Sequence, residues 1–370
     1  MFVLPPLLRL PMLVLGMISL VAGSLAGLAR LALDVPALAQ ARADSHGALM
    51  IAAFFGTVIS LERAVALRRG WSYLGPLCAG LGGLALLVGA PPWLGQSLFV
   101  AAGAVLTSAS GLVLRQQPAL FTFTLALGAL SWLIGNAVWL LTASMAAAVP
   151  FWMSFLVLTI AGERLELTRF LPPRPAANRL FIGLLAIIGL GAVLSGWGVW
   201  GGDIGGDIAA RLFGLGLLGL ALWLLRYDIA RKTVRQSGLT RFVAVCLLSG
   251  YAWLAVGGFL GLLGAYGGDV GWRDVALHAV FLGFVFSMVI GHAPIIFPAV
   301  MRVKIPYHPA FYIPLAALHG SLLVRVAGDL AGQWPLRQWA GLANAVALLL
   351  FIGTIIASVV RGARMRERNP

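Results

Sequence analysis

Twelve apolar runs, each close to the length that crosses a bilayer, restrict this chain more than any other feature of it. A spanning helix needs about 20 apolar residues. Such runs occupy approximately 10–33, 46–67, 72–92, 94–114, 119–143, 145–162, 178–200, 206–226, 240–264, 275–301, 309–329 and 336–361. Hydrophobic residues make up 61% of the chain and charged residues 10%, against roughly 45–50% and 25% in soluble domains. Barrel strands are excluded, because runs this long do not alternate lipid-facing and lumen-facing residues. The expected fold is an all-α polytopic membrane helix bundle. It forms a single transmembrane domain over 1–370, with six-helix halves of about 1–170 and 171–370.

The net charge of +14 raises the question of nucleic acid, and its distribution answers it. Twenty of the 26 Lys and Arg fall at the N-terminus, in the even-numbered connections and in the C-terminal tail. The other six are Arg30, Arg42, Arg211, Arg273, Arg325 and Arg337. This asymmetry is the positive-inside pattern, which predicts that both termini are cytoplasmic. The tail "RGARMRERNP" then reads as a topology anchor or lipid-headgroup contact, with no nucleic-acid partner. Trp93, Trp197, Trp200, Trp272, Trp334 and Trp339 cluster at the opposite face, as interfacial anchors do. The first apolar stretch, followed by "ALAQARA", resembles a signal peptide. Its apolar part is longer than a signal core, so a retained helix is expected. Cys78 and Cys246 fall within helices and indicate neither a disulfide framework nor a cysteine metal site.

The longest connections are 162–179 and 226–241, and the first separates the two halves. A weak echo joins "ISLERAVAL" in the second run to "IAGERLEL" in the sixth. Glu62–Arg63 and Glu163–Arg164 there read as ion pairs at a cytoplasmic helix end, with proton entry as the sharper alternative. Glycines such as Gly214, Gly216, Gly219, Gly257, Gly258 and Gly261 suit close helix approach in lipid.

Chemistry has to be sought in polar groups that a membrane makes expensive. His46 opens the second run in "DSHGALMI", and Arg68 follows that run's far end. His278 stands at a similar interval before Arg302 in the tenth. At about 1.5 Å per residue both histidines lie roughly 33–36 Å from the basic, cytoplasmic edge. Two imidazoles at one level on different helices would supply both axial ligands of a haem. Taken singly, His46 is also readable as a helix-start residue at interfacial water, and His278 as a histidine bonded to a backbone carbonyl.

"HGALMI", with His46, Gly47, Met50 and Ile51, and the tenth run, with His278, Gly291 and Pro298, resemble helices 2 and 10 of haem-copper oxidase subunit I. That resemblance implies a low-spin haem. It also implies a catalytic haem ligand two residues before His278, where Ala276 stands, and copper histidines in the sixth and seventh runs, which contain none. The oxygen-reducing site is therefore missing. The chain is also similar to the NnrS family of haem- and copper-containing membrane proteins. The similar segments are "HAVFLG" (278–283), the Gly291–His292 pair and "LLVRVAGDL" (322–330). This second resemblance implies haem b, copper as a further cofactor, and a link to nitric oxide and nitrogen-oxide metabolism.

His292 shares a helix face with His278 but lies about 21 Å along the axis, so the two cannot bind one metal. His292 and His319, with Met288 and His308 as companions, are candidates for copper or a second haem; the alternative is polar groups satisfied by neighbouring helices. His308, beside Pro306 and Pro309, reads as a solvated loop histidine. Arg325 sits level with the proposed haem and would hold a propionate, or else pair with Asp329 at spacing i, i+4.

The expected function is a b-type haem protein of a bacterial-type plasma membrane, with bis-histidine ligation near the periplasmic face. It would serve electron transfer or nitric oxide response, with a quinol or a periplasmic electron carrier as partner. Turnover as an oxidoreductase on nitric oxide or quinol would require one histidine to dissociate. The competing readings are a haem-free transporter or metal-handling protein and an assembly subunit of a respiratory complex. Against a transporter, the runs hold no paired acids, and their clear mid-membrane polar groups are Asn136, His292 and His319.

Overall fold

A computed structural model describes residues 3–168, 174–201, 204–268 and 270–368, which are helical with no strand among them. Twelve helices are long and apolar enough to cross a membrane. In order they are α1 (Pro6–Arg30), α2 (Ala43–Leu67), α3 (Gly70–Val88), α4 (Pro92–Gln116), α5 (Leu120–Thr142) and α6 (Met145–Leu167). They continue as α7 (Pro175–Ser195), α8 (Asp207–Tyr227), α9 (Gly238–Leu262), α10 (Val270–Met301), α11 (Pro309–Leu330) and α12 (Trp334–Met365). The chain is thus an all-α, multi-pass membrane protein. Helices are the outcome because each satisfies its own backbone groups where lipid offers no partner.

Tight connections stop the helices where the sequence changes character. Gly89 ends α3 in the left-handed conformation, φ +79°, and Pro91 and Pro92 then begin α4. A left-handed glycine followed by proline is a strong helix stop. Trp93, Trp272, Trp334 and Trp339 are exposed near the starts of α4, α10 and α12. The side chains of Trp197 and Trp200 lie outside the described residues, as do positions 169–173 of the connection after α6. Cys78 and Cys246 are unbridged, and Cys246 is buried.

Contacts divide the chain into two compact units, Met1–Glu166 and Leu167–Pro370. In the first, α1 lies against α2 and α3, and α3 to α5 pack as successive neighbours. Asn136 ties α4, α5 and α6 together. Its amide donates to the Phe99 carbonyl at 2.9 Å, and its oxygen accepts from Trp152 Nε1 at 2.9 Å. Asn136 and Trp152 are both fully buried, so this mid-membrane amide is satisfied by its neighbours.

In the second unit α8 runs between α7 and α9. The glycines of α8 and α9 are where backbones meet. A β-carbon on Gly214 would strike the Gly261–Leu262 backbone, and one on Gly258 would strike Leu218. Gly216 and Gly219 make room for the side chains of Ile188 and Leu184 of α7. In a membrane such close approach is a main source of helix association. The α11–α12 pair is joined by Ser321, whose hydroxyl donates to Asn344 Oδ1 at 2.6 Å.

Candidate functional site

His46 is seated by a notch on α1. The sequence "GSLAG" places Gly23 and Gly27 one turn apart along the same face. A β-carbon on Gly27 would come within 2.8 Å of His46 Cε1 and 2.9 Å of Nδ1. One on Gly23 would meet the Met50 sulfur at 2.9 Å. The missing side chains admit the imidazole, and the Gly23 carbonyl lies 2.7 Å from His46 Nδ1. A carbonyl only accepts, so the ring proton belongs on Nδ1 and the lone pair on Nε2.

His278 reaches the same tautomer by another route. Its Nδ1 donates to the Asp274 carbonyl one turn back at 2.9 Å, and Asp274 Oδ1 is 3.3 Å away. In the neutral ring the lone pair again falls on Nε2. Fixing a histidine through Nδ1 on a carbonyl or carboxylate is how metal-binding imidazoles are usually held.

A second likeness joins the two sites. Shortly after His46, residues Leu49–Phe55 of α2 are π-helical. Immediately after His278, so are Ala279–Phe286 of α10. Phe54 and Phe286, at the same offset beyond their respective histidines, are nearly fully buried. π-helical turns are rare and concentrate at functional sites. Neither hydrophobic periodicity nor residue type announces them, and sequence reading placed ordinary helix there. The Gly23–Gly27 notch was equally unforeseen, although its spacing is visible in α1.

Around His278 lies a charged network built from α10, α11 and α12. Arg325 Nη2 and Nε donate to Asp274 Oδ2 at 2.8 and 3.1 Å. Arg337 Nη2 approaches the same oxygen at 3.4 Å, and its Nε lies 2.9 Å from Asp329 Oδ1. Arg325 therefore pairs with Asp274 of α10, distant in sequence, and Asp329 pairs with Arg337 instead. The i, i+4 pairing of Arg325 with Asp329 does not form because Asp274, on the neighbouring helix, takes its guanidinium. Side-chain exposure falls from 20% at Asp274 to 9% at Arg325 and 1% at Asp329. The network is thus mostly out of solvent.

The remaining histidines differ. His319 of α11 accepts from Trp253 Nε1 on Nδ1 at 2.8 Å, and its Nε2 lies 3.0 Å from Ser249 Oγ. An indole N–H only donates, so Nε2 carries the proton and gives it to Ser249. Both nitrogens are committed to α9, and neither offers a lone pair to a metal in this arrangement. His292 holds the Met288 carbonyl through Nδ1 at 2.8 Å. Exposed His308 accepts the Ala310 N–H at 3.1 Å and starts α11. No group of three or more His, Cys, Asp or Glu suited to a metal occurs among the described residues. In the first unit, Glu163 of α6 lies within electrostatic reach of Arg63 of α2 as well as Arg164.

No curated protein and no solved structure matches the chain. Residues 9–360 match the family described as Domain of unknown function (DUF8744), nearly the whole of the helical region just described; the chain belongs to that family.

Proposed function

We propose that this is an integral membrane b-type haem protein in which His46 and His278 would together hold one haem. One observation carries the reading. Both imidazoles are fixed through Nδ1 on a carbonyl with the lone pair on Nε2, and each precedes a π-helical turn. The donor set fits the group, since neutral imidazole nitrogen is a common haem ligand. Supporting it are the matched depths of the two histidines and the resemblance to NnrS proteins and haem-copper oxidase subunit I.

When bound, haem supplies a one-electron change at iron. The chain's own part is to hold both rings in one tautomer and orientation. Gly23 and Gly27 do this for His46, and Asp274 does it for His278. Asp274 is itself fixed by Arg325 and Arg337. With both imidazoles engaged in holding the group, electron transfer or nitric oxide response would be favoured over turnover. A quinol or a periplasmic carrier is the proposed partner. The distribution of Lys and Arg supports an inner-membrane topology with both termini cytoplasmic and the histidines near the periplasmic face. Copper or a second haem at His292 and His319 would require His319 to surrender Trp253, so the proposal is confined to one haem.

The second reading is a haem-free transporter or metal-handling protein, in which Arg325 is matched by Asp274 and holds no propionate. A single preparation separates the two readings. Protein purified in detergent from haem-replete cells should give a b-type pyridine haemochrome and a reduced-minus-oxidised difference spectrum. A colourless preparation of folded protein overturns the haem reading.

A further inference from the structure

We infer that the second unit carries a binding site for one anionic glycerophospholipid on α12, independent of any haem. A groove of about 480 Å³ is lined by Val346, Leu350, Gly353 and Ala357 and ends at Arg361 and His308. The α12 positions are spaced by three or four residues, so they form one stripe, about 22 Å long from Val346 to Arg361 at 1.5 Å per residue. Thr354, also on this face, turns its hydroxyl back to the Leu350 carbonyl at 2.7 Å. The groove wall is therefore mostly apolar, with Ser358 close to its basic end.

That end gathers further positive charge. The connection before α11 passes so close to Gly362 that a β-carbon there would strike the Lys304 carbonyl. This sets Lys304 beside Arg361, with Arg364 one turn further on. Lys304, Arg361 and Arg364 form no ion pair among the described residues, and no acid lines the groove. An acyl chain satisfies the apolar length and a phosphodiester satisfies the basic end, as basic pockets between membrane helices do for anionic head groups. A second copy of the chain is disfavoured as the occupant. A twofold contact through this stripe would set Arg361 against the partner's identical cation.

The test is native mass spectrometry of the full chain in detergent, titrated with dioleoylphosphatidylglycerol or dioleoylphosphatidylcholine. The glycerol lipid should bind severalfold more tightly. Arg361→Gln should weaken its binding about fivefold, the worth of one cation near a head group, and leave the choline lipid nearly unchanged. Gly353→Leu should displace both lipids. A side chain there meets nothing within 4 Å, so the variant fills the groove without disturbing the fold. Equal affinity for the two lipids, or undiminished binding by Gly353→Leu, overturns the proposal. So does a dimer that Gly353→Leu converts to monomer.

Discussion

Asp274 organises the charged end of α10, and removing its carboxylate should cost more than removing an ordinary surface acid. Four polar contacts converge on it. Arg325 makes two at 2.8 and 3.1 Å, Arg337 one at 3.4 Å and His278 one at 3.3 Å. An exposed ion pair contributes about 0–1 kcal/mol, whereas breaking a buried pair from one side costs about 3–5 kcal/mol. Asp274 is 20% exposed and its arginine partners 9% and 15%, closer to the buried case. Asp274→Ala should therefore destabilise the second unit by about 2–3 kcal/mol, because Arg325 is left a buried, unmatched cation. Asp274→Asn keeps an acceptor for Arg325 while losing the charge, and should cost about 1–2 kcal/mol. The double variant Asp274→Ala/Arg325→Met should be more stable than Asp274→Ala alone, since the stranded charge is gone. Unfolding midpoints of detergent-purified protein, followed by circular dichroism, give all three values. An Asp274→Ala midpoint indistinguishable from wild type refutes the argument. Strict additivity in the double variant refutes it as well.

Three further perturbations probe other joints. Gly27→Ala drives a methyl group into the His46 ring and should cost about 1–3 kcal/mol by overpacking; Gly183→Ala, where a β-carbon meets nothing, should be neutral in the same melt. Asn136→Leu removes two interhelical hydrogen bonds worth about 0.6–1.7 kcal/mol each in a membrane, so a loss of about 1–3 kcal/mol is expected, and Trp152→Phe added to it should cost little more. Tyr266, in the connection after α9, donates to the Gly257 carbonyl at 3.0 Å, and burial pushes its phenol above the ordinary range. Its neutral form is thus favoured in the folded state, and the stability it contributes is present below about pH 10 and lost above it. The stability difference between wild type and Tyr266→Phe should accordingly shrink in alkaline titration.

The fold was legible because lipid demands long apolar runs, and each of the twelve runs marked in the sequence overlaps one of the twelve helices. The places of His46 early in α2 and of His278 in the first third of α10 were legible for the same reason: residue counts convert directly to distance along a helix. What surrounds them was not. The π-helical turns leave no trace in composition, and the Gly23–Gly27 notch looks like any small-residue pair until the residue it admits is known. Arg325 shows the limit most plainly. Sequence spacing offers Asp329 one turn on, but the pairing is decided by helix packing, which brings in Asp274 from α10. Likewise His319 offers a metal two nitrogens on paper, and packing assigns one to Trp253 and the other to Ser249.

The claim on which the functional account turns is that two particular imidazoles hold one iron. Electron paramagnetic resonance and optical spectra of the oxidised, purified protein should show a six-coordinate low-spin haem. His46→Ala and His278→Ala, each verified as folded by circular dichroism, should each abolish that signal, leaving high-spin haem or none. Survival of the full low-spin spectrum in either variant contradicts the assignment.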